Sequence, residues 1–251
     1  KLFVVTGAGS GFGRAIAELL LAEGARVLAV ARTKEVLENF KKSHPTQLEI
    51  IVGDITQEQI INEVVDFCTI EKPDGFVVNA GGPPAKSFLE TQLTEWDDAY
   101  RNILRWKVSF TQQIVPLLRS NGYGRIVYIE SVSVKQPVDN LVLSNSLRLA
   151  VVGFVKSLAK DLAAENITLN ILAPGYHDTA AMQRLFHKKA ELSGLSVDQS
   201  QKEFEKAIPV GSMGKASEFA SIAVWLLSPH SRFVTGQTIS HDGGLVHGIF
   251  G

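Results

Sequence analysis

Runs of apolar, largely β-branched residues recur along the chain at 2–5, 27–30, 48–52, 75–78, 124–129, 168–173 and 237–239. Most are near-continuously apolar instead of alternating regularly with polar residues. Such runs suit strands of a parallel sheet, whose two faces are both buried. The stretches between them carry helical periodicity and are predicted as helices over 13–23, 33–42, 57–69, 94–119, 141–165, 179–192 and 217–227. Right-handed crossovers then place helices on both faces of one doubly wound sheet, and the expected fold class is α/β. A length of 251 residues is long for one domain but ordinary for an α/β sheet, so one domain over 1–251 is expected. Residues 176–210 break the rhythm, being mostly polar and rich in Lys, Gln and Ser. An insertion after a strand's carboxyl end is where a substrate lid would sit, and a solvated surface excursion is the other reading.

Charge and cysteine content exclude several function classes. With 25 Lys+Arg against 26 Asp+Glu, the chain has no cationic surplus for a phosphate backbone, so nucleic acid is not an expected partner. The single cysteine, Cys68, rules out an intrachain disulfide and a cysteine metal cluster, and no metal site is expected. No apolar run reaches the length of a membrane span, and the start KLFVVTGAG is too soon broken by glycine for a signal peptide. A cytoplasmic protein without membrane contact is the expectation.

The first strand runs into TGAGSGFGRAIAELLLAEGA. Gly7, Gly11 and Gly13 leave the backbone bare where the chain turns from strand to helix, with Ser10 and Phe12 between them. The helix then offers N–H groups and a positive dipole end to a pyrophosphate. A glycine-rich turn alone is weak, but its setting of strand, turn, amphipathic helix and second strand is that of a Rossmann-type dinucleotide site. The second strand ends in VLAVART, with Ala31 where an acid for the adenosine ribose often stands and Arg32 beside it. No carboxylate next to a guanidinium favours a 2′-phosphate, so NADP is the expected cofactor and NAD the alternative.

These residues, with GDIT at 53–56, VNAGG at 78–82, GRIVYIESVS at 124–133, LNILAPGYHDT at 169–179 and VTGQTISHDGG at 234–244, resemble the short-chain dehydrogenase/reductases over essentially the whole chain. The resemblance implies that Asp54 and Ile55 meet the adenine and that Asn79, Ala80 and Gly81 line the adenosine side. It also implies that Pro174, Gly175, His177 and Thr179 shape the nicotinamide pocket. Among better-known relatives the sequence is similar to 3-oxoacyl thioester reductases and to sugar and secondary-alcohol dehydrogenases. A small-molecule or acyl-thioester carbonyl substrate and a homo-oligomer, tetramer or dimer, are implied as well. The long helices over 94–119 and 141–165 would suit a four-helix dimer contact.

In that family a Tyr and, four residues on, a Lys share one helix face, with a Ser at the end of the preceding strand. The nearby cation lowers the phenol's pKa so that it can pass a proton while hydride moves. Aligning GRIVYIES places Ser131 on the Ser; the next helix then puts Ser144 on the Tyr and Arg148 on the Lys. A serine hydroxyl is a far weaker acid, and a guanidinium fork is not a lysine's point charge. The family's helper Asn falls on Ile103, with Asn102 one residue away. Tyr128 is expected inside the sheet, and Tyr100 and Tyr123 away from the pocket. Tyr176 and His177 are nearer, and His177 has the more suitable pKa. Glu130 is unusual beside Ser131: paired with Arg148 or Lys135 it is structural, and alone it is a candidate acid.

Two functions stay open from sequence. One is an NADP-dependent oxidoreductase interconverting a ketone and a secondary alcohol with Ser131, Ser144 and Arg148 as its modified constellation. The other is an NADP-binding homologue with little or no catalysis, a sensor or partner subunit.

Overall fold

The structure, a computed structural model, describes residues 1–249 apart from the side chains at positions 181, 184, 188 and 192. The chain lays down β1 (Leu2–Thr6), α1 (Gly11–Ala22), β2 (Arg26–Ala31), α2 (Lys34–Ser43), β3 (Leu48–Val52), α3 (Glu58–Glu71) and β4 (Gly75–Val78). It continues through α4 (Leu93–Ala99), α5 (Trp106–Asn121), β5 (Gly124–Ile129), α6 (Val142–Leu162) and β6 (Ile167–Pro174). A two-residue ribbon of β7 (His177–Asp178) and β8 (Gly214–Lys215) frames α7 (Ala180–Ser193) and α8 (Val197–Lys206), before α9 (Ala216–Leu227) and β9 (Thr238–His241). The main sheet is wholly parallel, in the order β3-β2-β1-β4-β5-β6-β9.

The continuous apolar runs follow from this layering. In β1, Val4 packs with α3, α5 and α6 side chains on one face, and Phe3 and Val5 pack with α1, α2 and α9 side chains on the other. β5 divides in the same way, with Ile126 and Tyr128 on the first face and Val127 and Ile129 on the second. Strand neighbours that point to opposite faces are thus both buried, and alternation is lost. Strand order reverses at β1: β2 and β3 lie on one side and β4 on the other. That switch opens a crevice beyond the carboxyl ends of β1 and β4, where dinucleotides bind in such sheets.

Three expectations are corrected. The helix predicted over 94–119 is α4 and α5 joined by a π-helical turn, Tyr100–Arg105. The wider turn releases a backbone carbonyl, and Asn102 O accepts instead from Trp106 Nε1 at 2.9 Å. Such π insertions gather at functional sites. The polar segment 176–210 is not an irregular excursion: Thr179 Oγ1 accepts from Met182 N, Ser196 makes a capping box with Gln199, and Phe204 packs on Phe186 and Tyr176. Third, Val142–Glu165 is long and apolar enough to span a membrane by length and mean hydropathy. It instead buries Leu143, Val151, Val155 and Leu162 on the sheet core, together with Ser144 and Arg148.

Candidate active site

The turn after β1 is bare for steric reasons. Gly7 and Gly11 have φ of 64° and 56°, a region that side chains disfavour. A Cβ on Gly13 would lie 2.3 Å from Gly7 O, and one on Gly7 would lie 2.6 Å from Asn79 Nδ2. Thr6 Oγ1 ties this turn to the next strand end, donating to Asn79 O at 2.7 Å and accepting from Asn79 N at 2.8 Å. No side chain caps the start of α1 at Ser10, so its first N–H groups face the crevice as an anion site. A pyrophosphate fits a cradle with these properties. Phe12 lies deeper, packed on His177 and Phe219 at centroid distances of 5.0 and 4.3 Å. Its side chain therefore supports the turn from below.

Further along the crevice, Arg32 is exposed past the end of β2. Asp54 Oδ1 accepts from Thr56 N and Oγ1 at 3.0 and 2.8 Å, which shapes the loop after β3, and Ile55 is buried beside it. Ala80 packs against the core while Gly81 is exposed. At the other end Pro174 closes β6, Gly175 N donates to His241 O at 3.0 Å, and Thr179 approaches Gly11.

The reaction side is built from charges. Ser144 and Arg148, one turn apart on α6, are both buried and bonded to each other, Arg148 Nε donating to Ser144 Oγ at 3.1 Å. Arg148 Nη1 donates to Glu130 Oε2 at 2.9 Å, and the other Glu130 oxygen is paired with the Lys107 ammonium. Glu130 is thus paired as expected with Arg148, but its second partner is Lys107 on α5 and not Lys135. Sequence reading missed Lys107. Its signal was a cation on the apolar stripe Ile103, Lys107, Phe110, Ile114, Leu118, all buried in α5 and the turn before it. It stands one helical turn beyond Ile103, the position matched to the family's Asn, whereas Asn102 is exposed. Burial pulls the Lys107 ammonium below the ordinary lysine value; the Glu130 charge opposes this and the Arg148 charge adds to it.

Ser131 lies two residues past β5 and its Oγ accepts from Ser133 N at 3.2 Å; Ser133 Oγ lies 3.5 Å from Ser144 Oγ, at the outer limit of a hydrogen bond. The guanidinium is not enclosed on all sides. Its Nη2 faces the loop after β4, where a Cβ added to Gly82 would sit 3.1 Å away. Ser146, between Ser144 and Arg148 in sequence, points to the exposed side of α6.

No tyrosine takes the missing phenol's place. Tyr128 is fully buried, shares a 2.7 Å hydrogen bond with Thr111 Oγ1, and burial pushes its hydroxyl well above the usual value. Tyr176 packs edge-on against Phe204, and burial raises its hydroxyl pKa as well. His177 is 2 % exposed and wedged among Phe12, Phe219 and His241. Its Nδ1 bonds the Gly175 carbonyl at 3.1 Å and its Nε2 meets His241 Nδ1 at 2.8 Å. A carbonyl can only accept, so Nδ1 of His177 carries the proton and neutral Nε2 accepts from His241. Burial lowers its pKa despite the Gly175 bond. The proton-donor role considered for His177 does not fit this packing: both ring nitrogens are engaged away from Ser144.

Fold and crevice together define a dinucleotide-binding α/β protein. A family model described as enoyl-(acyl carrier protein) reductase matches residues 7–246. The 3-oxoacyl-(acyl-carrier-protein) reductase FabG of Thermotoga maritima is 32% identical over 251 residues, covering 98% of each chain. An actinorhodin polyketide ketoreductase variant solved with NADPH is 28% identical with a TM-score of 0.92, covering 99% of this chain and 98% of that one. An NADPH-bound short chain oxidoreductase of Pseudomonas aeruginosa PAO1, described as containing an atypical catalytic center, is 27% identical with a TM-score of 0.88, covering 98% and 97%. The chain belongs to the short-chain dehydrogenase/reductase family.

Proposed function

We propose that this enzyme reduces the ketone of a 3-oxoacyl thioester to a secondary alcohol with NADPH, using Ser131, Ser144 and Arg148. The observation that carries this reading is the guanidinium of Arg148: fixed by Ser144 and Glu130, it turns Nη2 toward Gly82 beside the cofactor crevice. The bare glycine cradle and the exposed Arg32 after Ala31 support NADP. The substrate class rests on the names of the Thermotoga reductase and the polyketide ketoreductase. Bound NADPH supplies the hydride. Ser131 and Ser144 then hold the carbonyl oxygen, and Arg148 stabilises the negative charge that grows on it, the role of an oxyanion donor in a dry site. The Ser144 hydroxyl, polarised by Arg148 Nε, gives its proton to that oxygen and regains one from water. We read residues 176–210 as the lid over the acyl chain. The outer faces of α5 and α6, where Leu149 is exposed, are read as a contact in a homo-oligomer, and a cytoplasmic location fits this use.

The test is a single-turnover experiment with stoichiometric protein and NADPH and a short 3-oxoacyl thioester, following the reduced-nicotinamide absorbance. Loss of absorbance well above the protein-free rate is expected, and Arg148→Met should abolish it. NADPH that binds and persists with this and other ketones would overturn the reading.

A further inference from the structure

Lys107 has no place in the chemistry described so far, yet it is among the most completely buried side chains of the protein. Its ammonium reaches one oxygen of Glu130, whose carboxylate is itself wholly buried. The other oxygen holds Arg148 Nη1 at 2.9 Å. Three charges from α5, the residue after β5 and α6, separated by 23 and 18 residues in sequence, therefore meet in one line that ends at the crevice. A buried ion pair of this kind stabilises a fold little compared with apolar packing of the same volume. Thr111 and Tyr128, which bond each other beside it, show that the same layer can be filled by neutral groups. The cluster is thus better explained by what it orients than by the stability it adds.

The orientation is specific. A guanidinium held only through Ser144 could turn about its long side chain, and the second bond to Glu130 fixes the plane of the fork. Glu130 in turn needs a partner for its remaining oxygen, because a buried carboxylate with one side unsatisfied would move or take up a proton. Lys107 satisfies it. We propose that Lys107 is a positioning residue: by anchoring Glu130 it aims Arg148 Nη2 past Gly82 at the reacting oxygen. This rests on the ketone-reductase reading given above.

The experiment compares Lys107→Met, Glu130→Gln and the double variant with native enzyme. It uses kcat, KM, NADPH affinity by fluorescence, melting temperature and guanidinium NMR of Arg148, assigned by its loss in Arg148→Lys. Lys107→Met should lower kcat about 100-fold, the scale of a misplaced oxyanion donor. NADPH affinity should stay within about twofold, and the resolved Nη signals of Arg148 should merge as the fork gains rotation. In the double variant, kcat should fall no further than in Glu130→Gln alone, because Lys107 acts only through that carboxylate. The double variant also removes both members of the pair, so it serves where the single change unfolds the protein. Native kcat in Lys107→Met, a further tenfold loss in the double variant, or Nη signals unchanged by Lys107→Met would each overturn the proposal. Failure of the function reading looks different: native enzyme would turn over no ketone, while the NMR comparison would still report whether Lys107 fixes Arg148.

Discussion

The two ends of the crevice are made by opposite means. At the phosphate end the polypeptide removes atoms: Gly7 and Gly13 leave room that a Cβ would fill, and the backbone N–H groups at the start of α1 carry no side-chain cap. At the reaction end it adds them, packing Lys107, Glu130, Arg148 and Ser144 into a buried cluster drawn from three elements. The first design depends on local chain geometry and tolerates little variation. The second depends on how α5, β5 and α6 stack, so the identity of each group can change while the cleft remains. The glycine end is therefore bound by backbone sterics, whereas the charged end is bound only by how its elements pack.

The comparison breaks most sharply at Gly13. Gly13→Val places a Cβ 2.3 Å from Gly7 O, backbone that cannot step aside, and NADPH affinity measured by fluorescence should fall by about 100-fold or more. Retention within threefold would show that the turn does not carry the phosphates. At the adenosine side, Arg32→Ala should weaken NADPH about tenfold, as expected for losing a hydrogen-bonded charge, while NADH affinity stays put; equal losses for both would remove the case for a 2′-phosphate contact. Gly82→Val tests where the two ends touch, because the new side chain would press on Arg148 Nη2 at 3.1 Å. A loss in kcat of about tenfold is expected, with NADPH affinity nearly unchanged. If cofactor binding falls instead, the loop belongs to the phosphate end.

The smallest effect concerns pH. Burial holds the His177 pKa below its ordinary 6.5, so the unfolded chain binds a proton that the folded one resists. Stability from this group is complete above about pH 6.5 and is lost as pH falls from there toward the folded value. Melting temperatures between pH 8 and 5 should therefore decline on the acid side, and His177→Phe should flatten the decline. A curve with the same slope in both proteins would assign the acid sensitivity to other groups.

Much of this molecule is legible in one dimension. Near-continuous apolar strands between amphipathic helices specify a parallel sheet covered on both sides, since that arrangement buries both faces of its central strands. The glycine turn was legible for a similar reason: its positive φ values and the approach of Gly13 to Gly7 O are local properties of residues 7–13. That Ser144 and Arg148 stand together was legible too, because positions four apart share a helix face wherever the helix lies. Glu130 stood out as an oddity in sequence, yet its partners could not be fixed. Lys135, close in sequence, was an equal candidate to Arg148, and Lys107 was not considered at all.

Those pairings belong to the tertiary structure. Lys107, Glu130 and Arg148 meet through the way α5, which follows the π-helical turn at Tyr100–Arg105, packs against β5 and α6. Packing of this kind is decided between elements, not by any run of residues. His177 was similarly recast, from a pocket-mouth histidine to a neutral ring locked between Phe12, Phe219 and His241. Sequence by itself determined the sheet, the cradle and the Ser144–Arg148 face of one helix, because periodicity and steric demand act over a few neighbouring residues. Only the folded chain decided how the site is charged, because electrostatic partners are chosen by distance in space and burial is a property of the whole.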